Sequence, residues 1–294
     1  MRSGGWADLS ENSQLHRFCG AGLLACALAW GSPDAVQRAT VLYQHTDYAA
    51  SLRALVDDPA PDAANYLLRG KNYFMFGDYK KAVEFFEKSL VLSPGSSESE
   101  LWLGRAWGRR AETGNWIAAP PSASRARQCF EKAIALDPNN REAKNDLFDY
   151  YLNAPGFMGG GLDKAEAAAK SIAAERPPEY EFEEAELSEK RKDFKSAEAH
   201  LRRAADLAPA EPGRVIDLAR FLARRGRFAD SDLMFQKARE MAPGQARIMF
   251  AQASADLENH RNQQQARQML QEYLHADLTP DDPPRQEAEK LLRK

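Results

Sequence analysis

The chain has 294 residues, of which 44% are hydrophobic and 28% are charged, as in an ordinary folded protein. Its formal net charge of −3 provides no basic field that would recruit nucleic acid or an anionic membrane. Alanine, leucine, glutamate, lysine and arginine dominate and β-branched residues are few, so the composition favours helices throughout.

The first feature along the chain is an apolar stretch from Phe18 to Trp30. It is shorter than the roughly 20 residues of a membrane-spanning helix, but it fits the core of a signal peptide. Near its end, Ala27, Leu28 and Ala29 have the small-x-small pattern of a cleavage site. We interpret residues 1–31 as a signal-peptide-like segment, which predicts a periplasmic or secreted protein without an integral membrane span. The alternative is a buried helix of a cytoplasmic protein.

The cysteines provide evidence on whether the N-terminal segment carries a lipid anchor and whether the chain forms a disulfide. Leu23 to Cys26 loosely resembles a lipoprotein cleavage box, in which Cys26 would carry a lipid anchor. Apolar residues follow Cys26 where a polar tether is expected, and this argues against the anchor. If cleavage removes Cys19 and Cys26, Cys129 remains alone and the chain forms no internal disulfide.

A pattern of small, aromatic and proline residues then recurs along the chain. Its clearest copy has Ala82, then Phe86 four residues later, then Pro94 eight residues after that. The other copies are Ala126, Phe130 and Pro138; Ala165, Ala169 and Pro177; Ala197, Leu201 and Pro209; Ser231, Phe235 and Pro243; and Ala266 with Leu270. Each copy has the apolar spacing of two amphipathic helices, and the proline ends the second helix because it cannot continue the hydrogen-bond ladder.

Six helix pairs with a unit of about 34 residues resemble the tetratricopeptide repeat family. The resemblance implies an all-α fold, an α-solenoid of stacked helix–turn–helix repeats that forms a right-handed superhelix. A single pair cannot bury its apolar face, so the pairs must stack on one another. We predict a degenerate leading repeat at residues 35–62, about six repeats at 63–280 and a polar capping helix at 281–294, with Asp282 as its N-cap.

Two units are longer than the others, because insertions at residues 111–124 and 153–161 separate their helices. The second insertion contains a glycine run that resembles a phosphate-binding loop. It lacks the strand before it and the Gly-Lys-Ser/Thr sequence that such a loop needs, so we interpret it as a long turn. We predict that Asp163 and Glu166 form the capping box of the next helix.

The tips of both insertions are apolar, with Trp116 and Ile117 on the first and Phe157 and Met158 on the second. Because adjacent units of a solenoid project equivalent turns from one edge, we expect the tips to be neighbours. They either pack against each other or form an apolar hook for a partner.

No constellation of catalytic residues is present. The histidines are scattered without metal-ligand spacing, and Cys129 lies next to Phe130 on a packing face. The arginines between Arg220 and Arg227 lack the interleaved aromatic residues that stack on bases. We therefore predict no enzyme activity, no metal or other cofactor, and no nucleic-acid partner.

Members of the family bind extended or helical peptides on the concave face that the first helix of each unit lines. The residues expected on that face and at the loop tips form our candidate binding site: Lys71, Phe74, Arg105, Arg109, Asn145, Asp149, Asn153, Trp116, Phe157 and Met158. The positive charges lie beside aromatic residues and favour an acidic, partly apolar peptide. The sequence predicts a non-catalytic scaffold for a protein or peptide partner; the alternative is an accessory or regulatory subunit of an envelope enzyme or assembly complex.

Overall fold

The computed structural model describes residues 33–56, 58–114 and 119–293. The signal-peptide-like segment and the lipid-anchor alternative at Cys26 lie outside these ranges, as does the insertion tip at Trp116. Among the described helices, none has the length and apolar character required to cross a bilayer.

Within the described ranges the chain forms α-helices and no strand. Their bounds are α1 Pro33–Gln44, α2 Tyr48–Val56, α3 Ala63–Met75, α4 Tyr79–Leu92, α5 Ser97–Thr113, α6 Ala119–Leu136, α7 Arg141–Asn153, α8 Leu162–Ile172, α9 Pro177–Lys190, α10 Phe194–Leu207, α11 Pro212–Arg224, α12 Phe228–Met241, α13 Ala246–Glu258, α14 Gln263–Leu274 and α15 Arg285–Arg293. Consecutive helices pack in pairs, and each pair packs on the next, so the predicted α-solenoid is confirmed. We number the complete pairs from unit 1, α3 with α4, to unit 6, α13 with α14; α1 and α2 form the leading pair.

Short polar residues begin many of these helices. The carboxylate of Asp62 accepts the Asn65 backbone N–H at 2.8 Å, and Asn140 accepts that of Ala143 at 2.9 Å. These bonds satisfy backbone donors that have no partner within the first turn of a helix. Between α3 and α4 the chain reverses at Gly77, whose φ of 76° is a conformation that favours glycine.

Close contact between the two helices of a unit depends on complementary residue sizes. In unit 1, a Cβ atom on Gly70 would overlap the ring of Phe86, which is fully buried. Unit 3 reverses the order, because the large residue, Phe148, lies on the first helix and faces Ala169 on the second. Each pair thus buries one large and one small side chain.

The two insertions differ from the prediction and from each other. The extra residues of the first lengthen α5 to 17 residues and α6 to 18, so most of segment 111–124 is helical. The proline pair at the start of α6 is compatible with this, because proline is tolerated in the first turn of a helix. The second insertion is a loop, with one 3-10 turn at Gly156–Met158. In it, a Cβ atom on Gly160 would collide with the backbone carbonyl of Ala154.

The predicted capping box at the start of α8 is wrong. Gly161 occupies the N-cap position and provides no side-chain bond, whereas Asp163 lies within the first helical turn. Glu166 instead accepts hydrogen bonds from Lys170 and Arg191. The Glu166 carboxylate therefore pairs with other side chains rather than with the backbone.

The C-terminal segment makes a hydrogen bond to a residue 239 positions away in the chain. After α14 the chain continues without regular structure to Pro284, and α15 begins at Arg285. Asp282 is therefore not the N-cap; its carboxylate accepts hydrogen bonds from the backbone N–H and hydroxyl of Thr279, both at 2.9 Å. Arg285 donates to the hydroxyl of Thr46 at 2.7 Å, in the turn between α1 and α2. The end of the chain thus contacts its leading helix pair.

Candidate functional site

A cavity of about 890 Å³ lies on the inner face of the solenoid, along α3, α5, α7 and α9. We call it the groove cavity. Six of the predicted site residues line it: Phe74, Arg105, Arg109, Asp149, Asn153 and Met158. Five of them come together because the first helices of consecutive units place side chains at equivalent positions on one face, whereas Met158 comes from the loop after α7.

One end of the groove cavity is aromatic. Phe74 meets Trp102 edge to face with ring centroids 5.4 Å apart, and Tyr79 packs on Phe74 at 5.3 Å. Lys71 lies over the Trp102 ring at 5.0 Å from its centroid and pairs with Glu98. This wall offers apolar surface for a side chain of similar character.

The positive charges of the groove are already paired. Arg105 binds Asp146 through Nε at 2.6 Å and Glu142 through a terminal nitrogen at 2.8 Å. Burial alone would lower the pKa of Arg105, but these carboxylates raise it above its usual value, so the guanidinium remains charged. Arg109 bonds to the hydroxyl of Tyr79 at 3.2 Å and pairs with Glu112. The arginines therefore do not present the free positive charge that the sequence led us to expect.

The other end of the groove cavity is acidic. Asp149 and Glu186 both line it, and neither carboxylate has a cation within ion-pair distance in the described structure. Burial, followed by the charges of Asp146 and Glu179, raises the pKa of Asp149 to about 6. Burial, followed by the charge of Asp149, raises the pKa of Glu186 to about 8. One oxygen of Glu186 is buried without a hydrogen-bond partner, and such groups carry a desolvation cost.

The remaining predicted site residues lie elsewhere. Asn145 accepts a hydrogen bond from Arg176 at 2.8 Å and does not line the cavity. Phe157 is 82% exposed, so it is not packed against other residues. Its neighbour Met158, which does line the groove cavity, is partly buried, and its carbonyl accepts a hydrogen bond from the hydroxyl of Tyr150 at 2.6 Å. Trp116 lies outside the described residues, so contact between the loop tips remains a prediction.

The C-terminal segment forms a wall of the groove cavity that was not predicted from the sequence. Pro280 and Pro284 line the groove cavity from the C-terminal segment. Pro284 also lines a second cavity of about 790 Å³ against α11 and α13, where Arg247 donates to the carbonyl of Asp281. The segment therefore divides the inner face into two compartments. The proline-rich sequence was a signal for extended chain, but we interpreted it as the start of the capping helix.

A metal site or a reactive cysteine thiol among the described residues would provide chemistry other than binding. No group of three or more histidine, cysteine, aspartate or glutamate side chains in them has an arrangement suited to a metal ion. Cys129 is a buried thiol, and burial, with the charge of Glu100 next, raises its pKa to about 12. At neutral pH it is therefore protonated, which makes it a poor nucleophile.

Comparison with known proteins agrees with this architecture. Residues 36–97 match the family model of the tetratricopeptide repeat. The leading pair and unit 1 thus match the tetratricopeptide repeat in sequence. The matched region contains the leading pair and unit 1, and the remaining units continue the same pairwise stacking.

Solved structures show the same fold at low sequence identity. A tetratricopeptide repeat protein of Parabacteroides merdae is 12% identical, with a TM-score of 0.57; the alignment covers 88% of this chain and 96% of that one. A thermophilic tetratricopeptide repeat protein of Thermus thermophilus is 20% identical, with a TM-score of 0.51, over 68% of this chain and 98% of that one. No curated protein matches the sequence.

Proposed function

We propose that the protein is a non-catalytic scaffold that holds a segment of a protein partner in the groove cavity. The observation that carries the proposal is the division of this cavity into an aromatic end and an acidic end. A partner segment with an apolar side chain near one with a positive charge would match both. An acidic peptide, which the sequence favoured, would meet paired arginines at one end and unpaired carboxylates at the other.

The acidic end supports a cationic side chain for a physical reason. Asp149 and Glu186 lose solvation in the groove without gaining a positive partner within the chain. A lysine or arginine from a partner would supply that charge and favour the ionised form of both carboxylates. Binding would then release protons from Glu186 at neutral pH, so affinity should rise between pH 6 and pH 8.

The aromatic end supports an apolar side chain beside the charge. Phe74 and Trp102 form a wall whose edge-to-face geometry leaves ring surface on the cavity. At about 890 Å³ the cavity lies within the range of roughly 300–1,000 Å³ that is typical of ligand sites. That volume accommodates a few side chains rather than a whole domain.

A binding experiment with two matched peptides tests the proposal. Fluorescence anisotropy would compare a labelled peptide of alternating lysine and phenylalanine with one of alternating glutamate and phenylalanine. We expect saturable binding of the first to the protein. Asp149→Asn combined with Glu186→Gln should weaken it by about tenfold or more, since hydrogen bonds and ion pairs with charged groups are worth about 1.5–3 kcal/mol.

Two further variants separate groove binding from general attraction. Phe74→Ala should weaken the same peptide through the aromatic end, whereas Asp206→Asn removes an exposed carboxylate of α10 that does not line the cavity and should change nothing. Equal binding of the acidic peptide, or wild-type affinity in the groove variants, would reject the assignment.

The biological setting is a separate proposal. We propose export with cleavage near Trp30, on the basis of the apolar stretch before it, and intact-mass measurement of the protein from its native host tests this. Retention of residues 1–17 would reject export, and a lipid on Cys26 would support the anchored alternative. Affinity purification from the same host tests the accessory-subunit alternative, which requires one stoichiometric enzyme or assembly partner.

A further inference from the structure

A smaller cavity, of about 390 Å³, opens among α6, α7 and α8 of units 2 and 3. It shares no lining residue with the groove cavity. We call it the α7–α8 cavity. Its walls come from Ile134 of α6, Leu147 and Tyr151 of α7, and the small residues of α8, and it is also lined by Glu183 from α9.

The cavity lies where unit 1 has an aromatic stack. The positions correspond when the units are aligned on Phe86 and Ala169, allowing for the loop of unit 3. In unit 1, Phe85 stacks on Tyr73 with ring centroids 5.2 Å apart and an angle of 10° between the planes. In unit 3, Tyr151 takes the place of Tyr73, but Ala168 takes the place of Phe85.

Other members of the stack are replaced in the same way, and each replacement lines the cavity. Tyr66, Arg69 and Lys88 of unit 1 correspond to Lys144, Leu147 and Ser171 of unit 3. Unit 1 therefore shows which side chain fits this space on the fold. It is an aromatic ring that lies flat on the tyrosine of α7.

The same arrangement of lysine and tyrosine occurs in units 1 and 3, which indicates that the ring of Tyr151 is accessible to such stacking. Lys164 lies over Tyr151 with Nζ 5.7 Å from the ring centroid. The corresponding Lys81 lies over Tyr73 at 5.0 Å, and Phe85 still stacks on that ring. A lysine in this position is thus compatible with an aromatic partner for the tyrosine.

The cavity also has a buried polar group without a partner. Glu183 is 2% exposed, and its Oε2 atom makes no hydrogen bond. Buried polar side chains nearly always have a partner, and one without a partner carries a free-energy cost. Burial, followed by the charge of Glu179, raises the pKa of Glu183 to about 8, so at neutral pH the carboxyl is mainly protonated and can donate as well as accept.

We propose that the α7–α8 cavity binds a tyrosine side chain of a protein partner. The ring stacks on Tyr151 in the place that Phe85 occupies in unit 1, and the phenol hydroxyl forms a hydrogen bond with Glu183. A phenol supplies both features that the cavity lacks, an aromatic face and a hydrogen-bonding group. This site is independent of the groove cavity, so its test does not depend on the proposed groove function.

The test uses two small probes that differ by one hydroxyl, N-acetyl-L-tyrosinamide and N-acetyl-L-phenylalaninamide. Saturation-transfer NMR titrations on the protein should show saturable binding of the tyrosine probe. We expect at least about fivefold weaker binding of the phenylalanine probe, as one hydrogen bond to a buried group implies. Glu183→Leu should remove that preference, whereas Asp206→Asn, at an exposed position of α10 that lines neither cavity, should leave it unchanged.

Ala168→Phe fills the cavity with the ring that unit 1 already has, and should abolish binding of both probes. If this variant does not fold, Tyr151→Leu removes the stacking surface instead and should weaken both probes. Absence of saturable binding to the wild type, or wild-type affinity in the filled or unstacked variant, would overturn the proposal. Equal affinity for the two probes would overturn the role of Glu183.

Discussion

Units 1 and 3 have the same helix pair but opposite choices of side chain. Unit 1 places Gly70 on its first helix and Phe86 on its second, whereas unit 3 places Phe148 on the first and Ala169 on the second. All four positions are buried. The comparison shows that the fold requires a constant summed volume between the helices and tolerates exchange of the large residue from one helix to the other.

The same alignment explains the polarity of the groove. Unit 1 contributes Lys71 where unit 3 has Asp149, which lines the acidic end of the groove cavity. On the helices that follow, Glu183 takes the place of Trp102, but it is buried and lines the α7–α8 cavity instead. Outward-facing positions are not constrained by packing volume, so their charge differs from unit to unit. The backbone repeats, but the surface that a partner meets does not.

The largest expected effect comes from the buried pair of unit 1. Phe86→Ala should lower the free energy of unfolding by about 3–5 kcal/mol, because it leaves a cavity against Gly70. Gly70→Phe combined with Phe86→Ala reproduces the order of unit 3 and should recover a large part of that loss. Chemical denaturation of the single and double variants measures the coupling. A double variant no more stable than Phe86→Ala would show that the exchange does not transfer between units.

The next effect concerns the acid that replaces an aromatic residue at the boundary of units 3 and 4. The pKa of Glu183 is raised above that of an unfolded chain, so the folded state binds the proton more tightly. Its contribution to stability is complete below the ordinary carboxyl pKa and is lost as pH rises through about 8. Glu183→Gln does not titrate, so it should be more stable than wild type by about 5 kcal/mol at pH 9, since each unit of pKa shift is worth about 1.4 kcal/mol.

At pH 5 the advantage of Glu183→Gln should shrink to below about 1 kcal/mol, because the carboxyl is protonated in the folded protein and this pH lies close to the ordinary carboxyl pKa of the unfolded chain. Thermal unfolding at both pH values provides the measurement. Glu258→Gln, on an exposed position of α13, is the control and should have no such pH dependence. An equal stability difference at pH 5 and pH 9 would contradict the assigned titration.

A smaller change in the free energy of unfolding is expected from variants of the aromatic stack. Ala168→Phe should raise the free energy of unfolding by about 1 kcal/mol, since an aromatic pair adds about 0.5–1.5 kcal/mol to the burial of its area. Phe85→Ala should make the opposite change in unit 1, where the ring lies against Tyr73. Destabilisation by Ala168→Phe would indicate that unit 3 has closed the space that unit 1 fills.

The smallest effect is expected in the loop that distinguishes unit 3 from the tight turn of unit 1. Phe157→Ser should alter the free energy of unfolding by less than about 0.5 kcal/mol, because the side chain is 82% exposed. Gly77→Ala in the turn of unit 1 should cost about 1 kcal/mol, because its φ of 76° disfavours a Cβ atom. A loss in Phe157→Ser as large as in Gly77→Ala would place Phe157 in a packed cluster.

The fold was predictable because its signals are local and repeated. Pro94 and Gly70 each act on their own helix pair, and six approximate copies reinforce one interpretation. The candidate groove residues on one face followed from the same register, and six of them line one cavity. Their charge state did not follow, because the carboxylates that neutralise Arg105 come from the next unit, about 40 residues further along.

The position of the C-terminal segment against the inner face could not be predicted from the sequence either. Nothing in the spacing of the repeats indicates that Pro280 and Pro284 return to the inner face, since that depends on how far the superhelix turns over seven pairs. The prediction of a capping box at Asp163 was wrong for a local reason. The flexible glycines before it allow Gly161 to take the N-cap position, so the polar residue is shifted into the helix.

The hydrogen bond between Arg285 and Thr46 joins positions 239 residues apart. In a solenoid held only by contacts between neighbouring units, the two terminal units do not interact and can unfold independently of each other. Here Arg285 also donates to the carbonyls of Leu274 and Ala276, so the same side chain holds unit 6 and the leading pair. Stretching or unwinding the superhelix at either end therefore strains the other. We therefore expect the superhelix to resist extension along its axis, and the leading pair and unit 6 to unfold together.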